Sequence, residues 1–326
     1  MSIKIIKQGV MATLQDAGRY GFRSIGIGSG GAMDIFAMTV SNFLVGNDEA
    51  AVLEINFPAP EILFQHNALI SLTGADLSAT IDNITLPLWR PFFVMKDSVL
   101  KFKQPVYGTK TYLAVHGGWK SEKWLGSFST HLKVGTGGHL GRALQKNDVI
   151  CFKENNFSLA ENKILNWHIS QNETDKIYLP SNTIRCIRGV EWDLLNKASQ
   201  QNFEKSNFSI TNQSDRMGYR LSGTLLSLQQ PTEIISSAVD AGIIQLLPTG
   251  NLIVLMADHQ TTGGYPRIAS VIKADLPKLA QVIPGQKISF KIITLKEAED
   301  ALISMMRTLT EIKAGCHLNF EKYFQP

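Results

Sequence analysis

The sequence predicts a mainly β fold built from two related domains, and three observations lead to it. Apolar or alternating runs of strand length recur along the chain, and Gly, Pro, Asn or Asp punctuates each of them, as is typical of all-β proteins. Strands that alternate regularly with long helices are missing, which argues against a doubly wound α/β fold. The length of 326 residues corresponds to about two domains, at roughly 150 residues each.

Nine such runs are predicted as strands, in chain order from the N-terminus. They read "IKIIKQG", "EILFQHNALISLTGA", "LSATIDNITLPLW", "YLAVHGG", "DVICF", "TIRCIRG", "GIIQLLP", "NLIVLMA" and "KISFKII".

A few short helices are predicted between the strands. Residues 34–45 can form a helix that Asp34 caps at its N-terminus and Gly46 closes. A second helix is predicted over residues 191–203.

The longest predicted helix lies near the C-terminus, from Leu295 to about Lys313. Thr294 and Glu297 can form a capping box at its start, and Gly315 lies just past the predicted end. An apolar stripe predicts that this helix serves packing alone. The stripe consists of Ala298, Leu302, Met305, Leu309 and Ile312.

A weak internal repeat predicts the two domains. "YLAVHGGW…TGGHLGRALQKNDVICF" is echoed by "IVLMADHQTTGGYPRIA…VIPGQKISF", and in each half a strand leads into a polar Gly-Gly loop, a turn and a closing strand. The polar residues 154–181 are the best candidate for a linker. The predicted domains are therefore residues 1–165 and 176–326, with the C-terminal helix in the second, and residues 1–46 could complete either one.

Composition excludes several classes of function. The formal net charge is only +4 and the basic residues are scattered, so nucleic acid is not an expected partner. Three cysteines, far apart, fit a reduced protein without a disulfide framework. The N-terminal "MSIKIIKQGV" has no apolar signal region, and no apolar run approaches the roughly 18 residues of a membrane span. A cytoplasmic location without membrane contact is therefore expected.

Familiar catalytic and metal-binding signatures are absent. The sequence contains no phosphate-binding P-loop, no Gly-x-Ser-x-Gly elbow and no His-Glu-x-x-His pair. His131 and His139 flank "LKVGTGG", but two histidines without a third ligand do not make a metal site, and none is predicted.

What remains is a set of five polar, glycine-rich clusters, each at a predicted strand end. They read "TLQDAGRYGFRSIGIGSGGAMD", "LTGADL", "LGSFSTHLKVGTGGHLGR", "SDRMGYRLSG" and "DHQTTGGYP". One such cluster alone is most simply a turn held by an Asp–Arg pair. Because strand-end loops gather at the mouths of a barrel, five of them indicate that they converge on a site.

Taken together, the clusters resemble a family known under three names: allophanate hydrolase subunit 2, biotin-dependent carboxyltransferase domain, and the C subunit of 5-oxoprolinase. The resemblance rests on "TLQDAGRYG", "GGAMD", "LTGAD", "SDRMGYRL" and "DHQTTGGYP", which follow one another in family order. Two departures occur: Gly30-Gly31-Ala32 stands where the family has Ser-Gly-Ala, and Phe128 stands where the family has Arg. The second departure weakens any anion-binding role of that loop.

The resemblance implies two cyclophilin-like β-barrel domains and an enzyme complex. It implies one part of an ATP-dependent 5-oxoprolinase, which opens 5-oxoproline to glutamate together with two partners, a KipI-like protein and a LamB/YcsF-like protein. Whether this chain binds ATP stays open, and the isolated chain need not be active. Two alternatives remain: a regulatory protein that antagonises a KipI-type kinase inhibitor, and a biotin-dependent carboxyltransferase that acts on urea or a similar amide.

The clusters also supply the predicted site residues. Gly263 and Gly264 would let the backbone approach a ligand closely, and Asp258 would orient an arginine or act as a base. The alternative is that this loop docks against a partner protein. The predicted catalytic residues are Asp16, Arg19, Asp258, Gln260 and Tyr265. The predicted substrate-binding residues are Gln15, Asp34, Asp76, Arg216, Tyr219, Thr261, Thr262, Gly263 and Gly264.

Overall fold

The computed structural model describes residues 1–153, 160–179 and 182–324. The chain divides into two compact units. Unit 1 comprises Met1–Arg19, Gly30–Glu173 and Arg307–Pro326, and unit 2 comprises Tyr20–Ser29 and Thr174–Met306. Residues 20–29 thus cluster with unit 2, which the prediction left open for residues 1–46, and the part of the chain from Arg307 onward clusters with unit 1.

Unit 1 contains two six-stranded sheets and the helix α1 (Ile35–Leu44). Its strands are β1 (Ser2–Lys7), β2 (Ala12–Gln15), β3 (Val52–Asn56), β4 (Glu61–Phe64), β5 (Ala68–Asp76), β6 (Ala79–Ile81), β7 (Ile84–Thr85), β8 (Arg90–Val94), β9 (Val99–Phe102), β10 (Tyr107–Val115), β11 (Val149–Cys151) and β12 (Lys163–Ile164). The strand orders are β11-β1-β4-β9-β6-β7 and β12-β8-β5-β10-β3-β2.

The core of unit 1 draws buried side chains from both sheets. In β1 the alternation buries Ile3 and Ile5 and places Lys4 on the opposite face, and the register shifts between Ile5 and Lys7. Leu72 and Leu113, register partners in β5 and β10, join the same cluster from the second sheet. Each such side chain contributes about 1.5–3 kcal/mol on full burial, so the core stabilises both sheets.

Helix α1 begins where the sequence predicts it. Asp34 is the N-cap, and its Oδ1 accepts a hydrogen bond from Ala37 N at 2.9 Å. The helix lies against β5, because Thr73 Oγ1 donates to the carbonyl of Ala37 at 2.7 Å and Ser71 Oγ to that of Ser41 at 2.6 Å. These contacts fix the loop that precedes α1 relative to the sheet.

The strands of unit 2 are β13 (Thr183–Arg188), β14 (Asn207–Ile210), β15 (Gly218–Gly223), β16 (Ser237–Ala238), β17 (Ile243–Leu246), β18 (Leu252–Leu255), β19 (Thr262–Gly263), β20 (Arg267–Val271) and β21 (Lys287–Ile292). Seven of them form a closed barrel in the order β13-β20-β17-β18-β15-β14-β21, and β16 pairs with β19 in a separate sheet. The first and last strands close the barrel as a parallel pair, with Thr183 opposite Ser289. The mainly β prediction is therefore confirmed.

The described residues contain four further helices: α2 (Gln171–Tyr178), α3 (Lys197–Lys205), α4 (Leu276–Gln281) and α5 (Leu295–Phe324). Short 3-10 helices lie at Arg23–Ile25, Trp192–Leu194 and Lys273–Asp275. The predicted linker, residues 154–181, lies partly outside the described residues, and its described part carries β12 and α2. None of the helices in the described ranges has the length and apolar character of a membrane span.

Two helix predictions need correction. The helix predicted over residues 191–203 is a 3-10 turn followed by α3, because Asn196 caps a new helix by accepting a hydrogen bond from Ser199 N at 2.8 Å. The C-terminal helix starts with the predicted capping box but passes through Gly315 and ends at Phe324. Burial of Cys316 and Phe320 in unit 1 offsets the roughly 1 kcal/mol that a helical glycine costs.

Candidate functional site

In unit 1, the predicted residue Asp16 lies directly after β2 and holds two loops together. Its Oδ1 accepts hydrogen bonds from Gly18 N at 2.8 Å, Ser127 Oγ at 2.6 Å and Ser129 Oγ at 2.5 Å. Its Oδ2 accepts one from Phe128 N at 2.6 Å. A carboxylate with four donors in place is held firmly, and this arrangement favours an orienting role for Asp16 over that of a general base.

Arg19 meets the same loop at Ser129. Its Nη2 donates to the carbonyl oxygen of Ser129, and its guanidinium stacks over the ring of Trp124 at 4.8 Å from the centroid. The residue is only 2% exposed. A guanidinium covered in this way supports the loop through stacking and hydrogen bonding, which a lysine could not reproduce.

A cavity of about 630 Å³ opens beside these loops, within unit 1. Lys123 and Lys313 bring two ammonium groups to its wall: Lys123 Nζ lies 5.0 Å above the ring of Phe128, and Lys313 Nζ lies 2.7 Å from Asp48 Oδ1. The rest of the lining comprises Asp16, Ala17, Gly18, Met38, Thr39, Asn42, Phe43, Glu49, Ala50 and Gly126. A cavity of this size with charges of both signs suits a small molecule that carries a carboxylate and a polar amide or amine.

Gln15, another predicted site residue of unit 1, is fully buried. Its Nε2 donates to Thr13 Oγ1 at 2.9 Å, inside the fold. Asp76, at the end of β5, accepts a hydrogen bond from Ser78 N at 2.8 Å and so shapes its own turn. The contacts of both residues are local, and they support the loops rather than reach the cavity wall.

Asp34 belongs to a buried polar network below α1. Its backbone N–H donates to the Tyr112 hydroxyl at 2.8 Å, and that hydroxyl donates to Glu54 Oε2 at 2.9 Å. Burial, together with the carboxylates of Glu54 and Asp34, raises the pKa of Tyr112 well above its usual value. The hydroxyl therefore stays protonated and fixes the start of α1 next to the glycine-rich segment.

In unit 2, Asp258 forms a bidentate ion pair with Arg216. The Nε–Oδ2 distance is 2.8 Å and the Nη2–Oδ1 distance is 3.0 Å. The two side chains are 14% and 5% exposed, and Asp258 N also donates to the carbonyl of Arg216 at 2.8 Å. Of the two roles predicted for Asp258, orienting an arginine is the one that this geometry supports.

The loop of residues 258–266 then returns across unit 2. Thr262 and Gly263 form β19, which pairs with β16, and Val239 N donates to the carbonyl of Thr261 at 3.1 Å. The side chains of Gln260 and Thr262 are exposed, and that of Tyr265 is 44% exposed. The loop therefore presents an amide, a hydroxyl and a phenol to solvent.

The two glycines of this loop make room for the chain's own side chains. A Cβ on Gly263 would lie 2.6 Å from Gln245 Nε2, and one on Gly264 would lie 3.0 Å from Ser236 Oγ. Neither glycine is at positive φ. The close approach seen here is to unit 2 itself, and an approach to a ligand stays a prediction.

Tyr219 does not join this loop. The residue is buried, and its hydroxyl donates to the carbonyl of Ala280 at 3.2 Å, which anchors the end of α4. Tyr265, by contrast, lines an apolar cavity of about 660 Å³ in unit 2, together with Gly264 and Pro266.

A group that the sequence did not single out lies beneath the loop. His259 Nδ1 is 2.6 Å from the carbonyl oxygen of Gln260, and His259 Nε2 is 3.5 Å from Asp240 Oδ1. Arg23 Nη1 lies 3.5 Å from the same Asp240 oxygen. Three contacts lower the pKa of Asp240 to about 2. The contact with His259 has the largest effect, and the Ala241 N–H and the charge of Arg23 add to it. Asp240 lies outside every polar cluster of the sequence, so no local signal linked the three residues.

Comparison with known proteins agrees with this architecture. Residues 25–292 match the family described as carboxyltransferase domain, subdomain A and B. The chain is 39% identical to the protein of Escherichia coli (strain K12) named as the C subunit of 5-oxoprolinase, over 97% of this chain and 99% of that protein. It is 28% identical to urea amidolyase of Saccharomyces cerevisiae, over 94% of this chain but only 18% of that protein.

A solved structure shows the same fold. The crystal structure of the K. lactis urea amidolyase superimposes with a TM-score of 0.87 at 22% identity, and the match covers 95% of this chain and 20% of that one. In the described ranges, no group of three His, Cys, Asp or Glu side chains is arranged to hold a metal ion. The chain belongs to the carboxyltransferase domain family, subdomain A and B.

Proposed function

We propose that this chain is one part of an ATP-dependent 5-oxoprolinase, which opens the cyclic amide 5-oxoproline to glutamate. One observation carries the proposal: the end-to-end similarity to the E. coli protein named as the C subunit of that enzyme, at 39% identity over 97% of one chain and 99% of the other. Urea amidolyase of S. cerevisiae is matched over only 18% of its length, so the similarity there concerns one segment of a larger protein.

The cavity of unit 1 supports a substrate of this chemistry. 5-Oxoproline carries one carboxylate and one cyclic amide. Lys123 offers an ammonium group at the wall of the cavity, and the volume of about 630 Å³ lies within the usual range of small-molecule sites. In this proposal Lys123 attracts the substrate carboxylate, while the loop held by Asp16 presents backbone groups to the amide.

Independently of that cavity, unit 2 offers exposed side chains of the kinds that the opening of an amide uses. Opening an amide requires donors that stabilise developing negative charge on oxygen and acceptors that orient the nitrogen. Gln260, Thr262 and Tyr265 supply both kinds of group. The ion pair of Arg216 and Asp258 would hold the start of this loop in place.

The partners belong to the proposal as well. We infer that the chain works in the cytoplasm with a KipI-like protein and a LamB/YcsF-like protein, and that the complex consumes ATP. We expect the isolated chain to be inactive, because ring opening coupled to ATP needs groups from the two partners.

Reconstitution tests the proposal. The purified chain, mixed with the KipI-like and LamB/YcsF-like partners, ATP and 5-oxoproline, should release glutamate and ADP in equal amounts, and omission of this chain should abolish glutamate. The absence of glutamate, with partners that are active alongside a homologue of this chain, would refute the proposal.

Lys123→Ala tests the assignment of the cavity within the active complex. We expect KM for 5-oxoproline to rise at least tenfold, because an ion pair with the substrate carboxylate is lost. Lys120→Ala is the matched control, since Lys120 is an exposed lysine outside the cavity lining. Equal KM values for wild type and Lys123→Ala would remove Lys123 from the site.

A second function has a specific observation in its favour, namely the description of the matched family as a carboxyltransferase domain. In that case biotin would be the cofactor, and urea or a similar amide would accept the carboxyl group. Retention of the chain on a biotinylated carrier protein, with carboxylation of urea, would support it. A complex with the KipI-like protein that shows no ATP-dependent turnover would instead support the regulatory role.

A further inference from the structure

We propose that His259 is a positioning residue: it ties the loop of residues 258–266 to Asp240 and so sets where the exposed side chains of that loop lie. For its effect on catalysis, this inference rests on the proposed function. Its effect on the loop itself can be measured on the isolated chain.

The two ring nitrogens of His259 face two different segments of unit 2. Nδ1 lies 2.6 Å from the carbonyl oxygen of Gln260, which can only accept, so Nδ1 carries the proton in this contact. Nε2 lies 3.5 Å from Asp240 Oδ1, a distance at which the ring forms an ion pair with that carboxylate when Nε2 carries a proton as well. One imidazole thus joins the loop to the turn that precedes β17.

The position of His259 is fixed by burial. Its side chain is 0% exposed, whereas that of Asp240 is 56% exposed. A Cβ on Gly28 would lie 2.9 Å from the carbonyl oxygen of His259, so the backbone at Gly28 lies directly against the loop. The buried imidazole therefore has little room to adopt another rotamer.

Asp240 is itself held from several sides. Arg23 Nη1 lies 3.5 Å from its Oδ1, and the backbone N–H of Ala241 donates to that oxygen at 2.9 Å. Arg23 Nη2 donates to the carbonyl of Val239. These contacts restrain Asp240, so a loop that is bound to Asp240 is restrained as well.

The tether acts at the middle of the loop. The Arg216–Asp258 pair fixes the start, and the pairing of Thr262 with Ala238 fixes the end. Between these points the side chain of Gln260 is exposed, and the contact of its carbonyl with His259 Nδ1 orients the ring so that Nε2 faces Asp240. Loss of the tether would loosen the backbone at His259 and Gln260, whereas Thr261 keeps its hydrogen bond from Val239 N.

Two substitutions separate the two contacts of the ring. His259→Gln places an amide donor near the position of Nε2 and keeps the contact with Asp240. His259→Asn places it near the position of Nδ1, keeps the contact with Gln260 and loses the one with Asp240. Asp240→Asn weakens the same contact from the exposed side, so it serves if the variants of buried His259 fold poorly.

The first measurement is amide hydrogen exchange of the peptide covering residues 257–266 in the isolated chain. We expect at least tenfold faster exchange in His259→Asn and Asp240→Asn, and near wild-type exchange in His259→Gln. His139→Asn is the matched control, because His139 Nε2 lies 3.7 Å from Asp148 Oδ2 in unit 1. Exchange that stays unchanged in both His259→Asn and Asp240→Asn would overturn the proposal.

The second measurement uses the reconstituted complex. We expect kcat/KM to fall at least tenfold in His259→Asn and Asp240→Asn, since a group misplaced by about 1 Å can cost roughly a hundredfold. The double variant should lose no more than the worse single variant, and His259→Gln should recover most of the activity. Multiplied losses in the double variant would show that the residues act independently and would overturn the proposal.

The two proposals can fail separately. If the wild-type complex releases no glutamate while the exchange pattern is as expected, the proposed function fails and the tether stands. If the complex is active and the tether variants match His139→Asn in exchange and in kcat/KM, the tether fails and the proposed function stands.

Discussion

At the scale of single residues, the Arg216–Asp258 pair shows that the position of an aspartate in the sequence does not reveal its role. Asp258→Asn would leave the guanidinium of Arg216 buried beside a neutral amide. Breaking a buried pair in this way costs about 3–5 kcal/mol, so we expect Tm to fall by about 6–20 °C. Calorimetry on the isolated chain measures this.

The control for that prediction removes both charges. In the double variant Arg216→Met/Asp258→Leu no charge is left unpaired, and most of the lost stability should return. An Asp258→Asn variant with wild-type Tm but no turnover in the complex would instead assign Asp258 to the chemistry.

The two loop glycines give a second prediction. Gly263→Ala brings a Cβ to 2.6 Å from Nε2 of the buried Gln245, whereas Gly264→Ala brings one to 3.0 Å from the Ser236 hydroxyl, which can rotate away. We expect Gly263→Ala to lower Tm by several degrees and Gly264→Ala to change it little. Thermal denaturation of both variants gives the comparison.

Gln245→Ala supplies the check on the cause. It removes the amide that the new Cβ meets, so Tm of Gly263→Ala/Gln245→Ala should lie close to that of Gln245→Ala alone. An equal loss of stability in both backgrounds would mean that another contact opposes the methyl group.

At the scale of elements, the start of α5 depends on a local device that can be tested by itself. Thr294 Oγ1 donates to Glu297 Oε2 at 2.8 Å, and Glu297 Oε2 also accepts from Thr294 N at 2.7 Å. Thr294→Ala should cost about 1 kcal/mol, the usual value of an N-cap, and shift Tm by a few degrees. Thr294→Ser keeps the hydroxyl and should retain wild-type Tm.

The elements also show which features were predictable from the sequence. Helix starts at Asp34 and Thr294 were predicted, because a cap and its partner lie three residues apart. The end of α5 was not, because Phe320 stacks on His116 at 5.2 Å, a contact between distant parts of the chain. Local chemistry fixed the starts, and tertiary packing fixed the end.

The candidate site shows the same contrast between local features, which the sequence predicts, and contacts between distant residues, which it does not. The polar clusters identified Asp16, Arg19 and Asp258 as residues of interest, but not what they contact. Ser129, which Asp16 and Arg19 share, lies more than 100 positions away in the sequence, and Arg216 lies 42 positions from Asp258. Whether a carboxylate acts as a general base or holds a loop in place depends on such partners. The sequence alone does not show which residues these partners are.

At the scale of the whole molecule, carboxylates in ion pairs set the response to acid. Hydrogen bonds from Arg142 lower the pKa of the Asp148 carboxyl below its unfolded value of about 3.9. The stabilising contribution is therefore complete above that value and is lost as the pH falls through the lower, folded value. We expect Tm to decrease from about pH 5 downward.

Asp148→Asn tests the sign of this effect. The variant should have a lower Tm than wild type at pH 7, and the difference should shrink as the pH falls and Asp148 becomes protonated. Thermal denaturation at intervals across this range measures it. A difference that grows on acidification would contradict the assignment.

The closure of the barrel in unit 2 limits how an extended peptide could be recognised. Because β13 pairs with both β20 and β21, a peptide that docks by strand addition finds no free backbone edge on the barrel. The sheets of unit 1 are open and end in β7, β11, β2 and β12. An extended segment of another protein could therefore pair with the main chain only outside the barrel, at sheet edges such as those of unit 1, and could contact the barrel only through its loops and side chains.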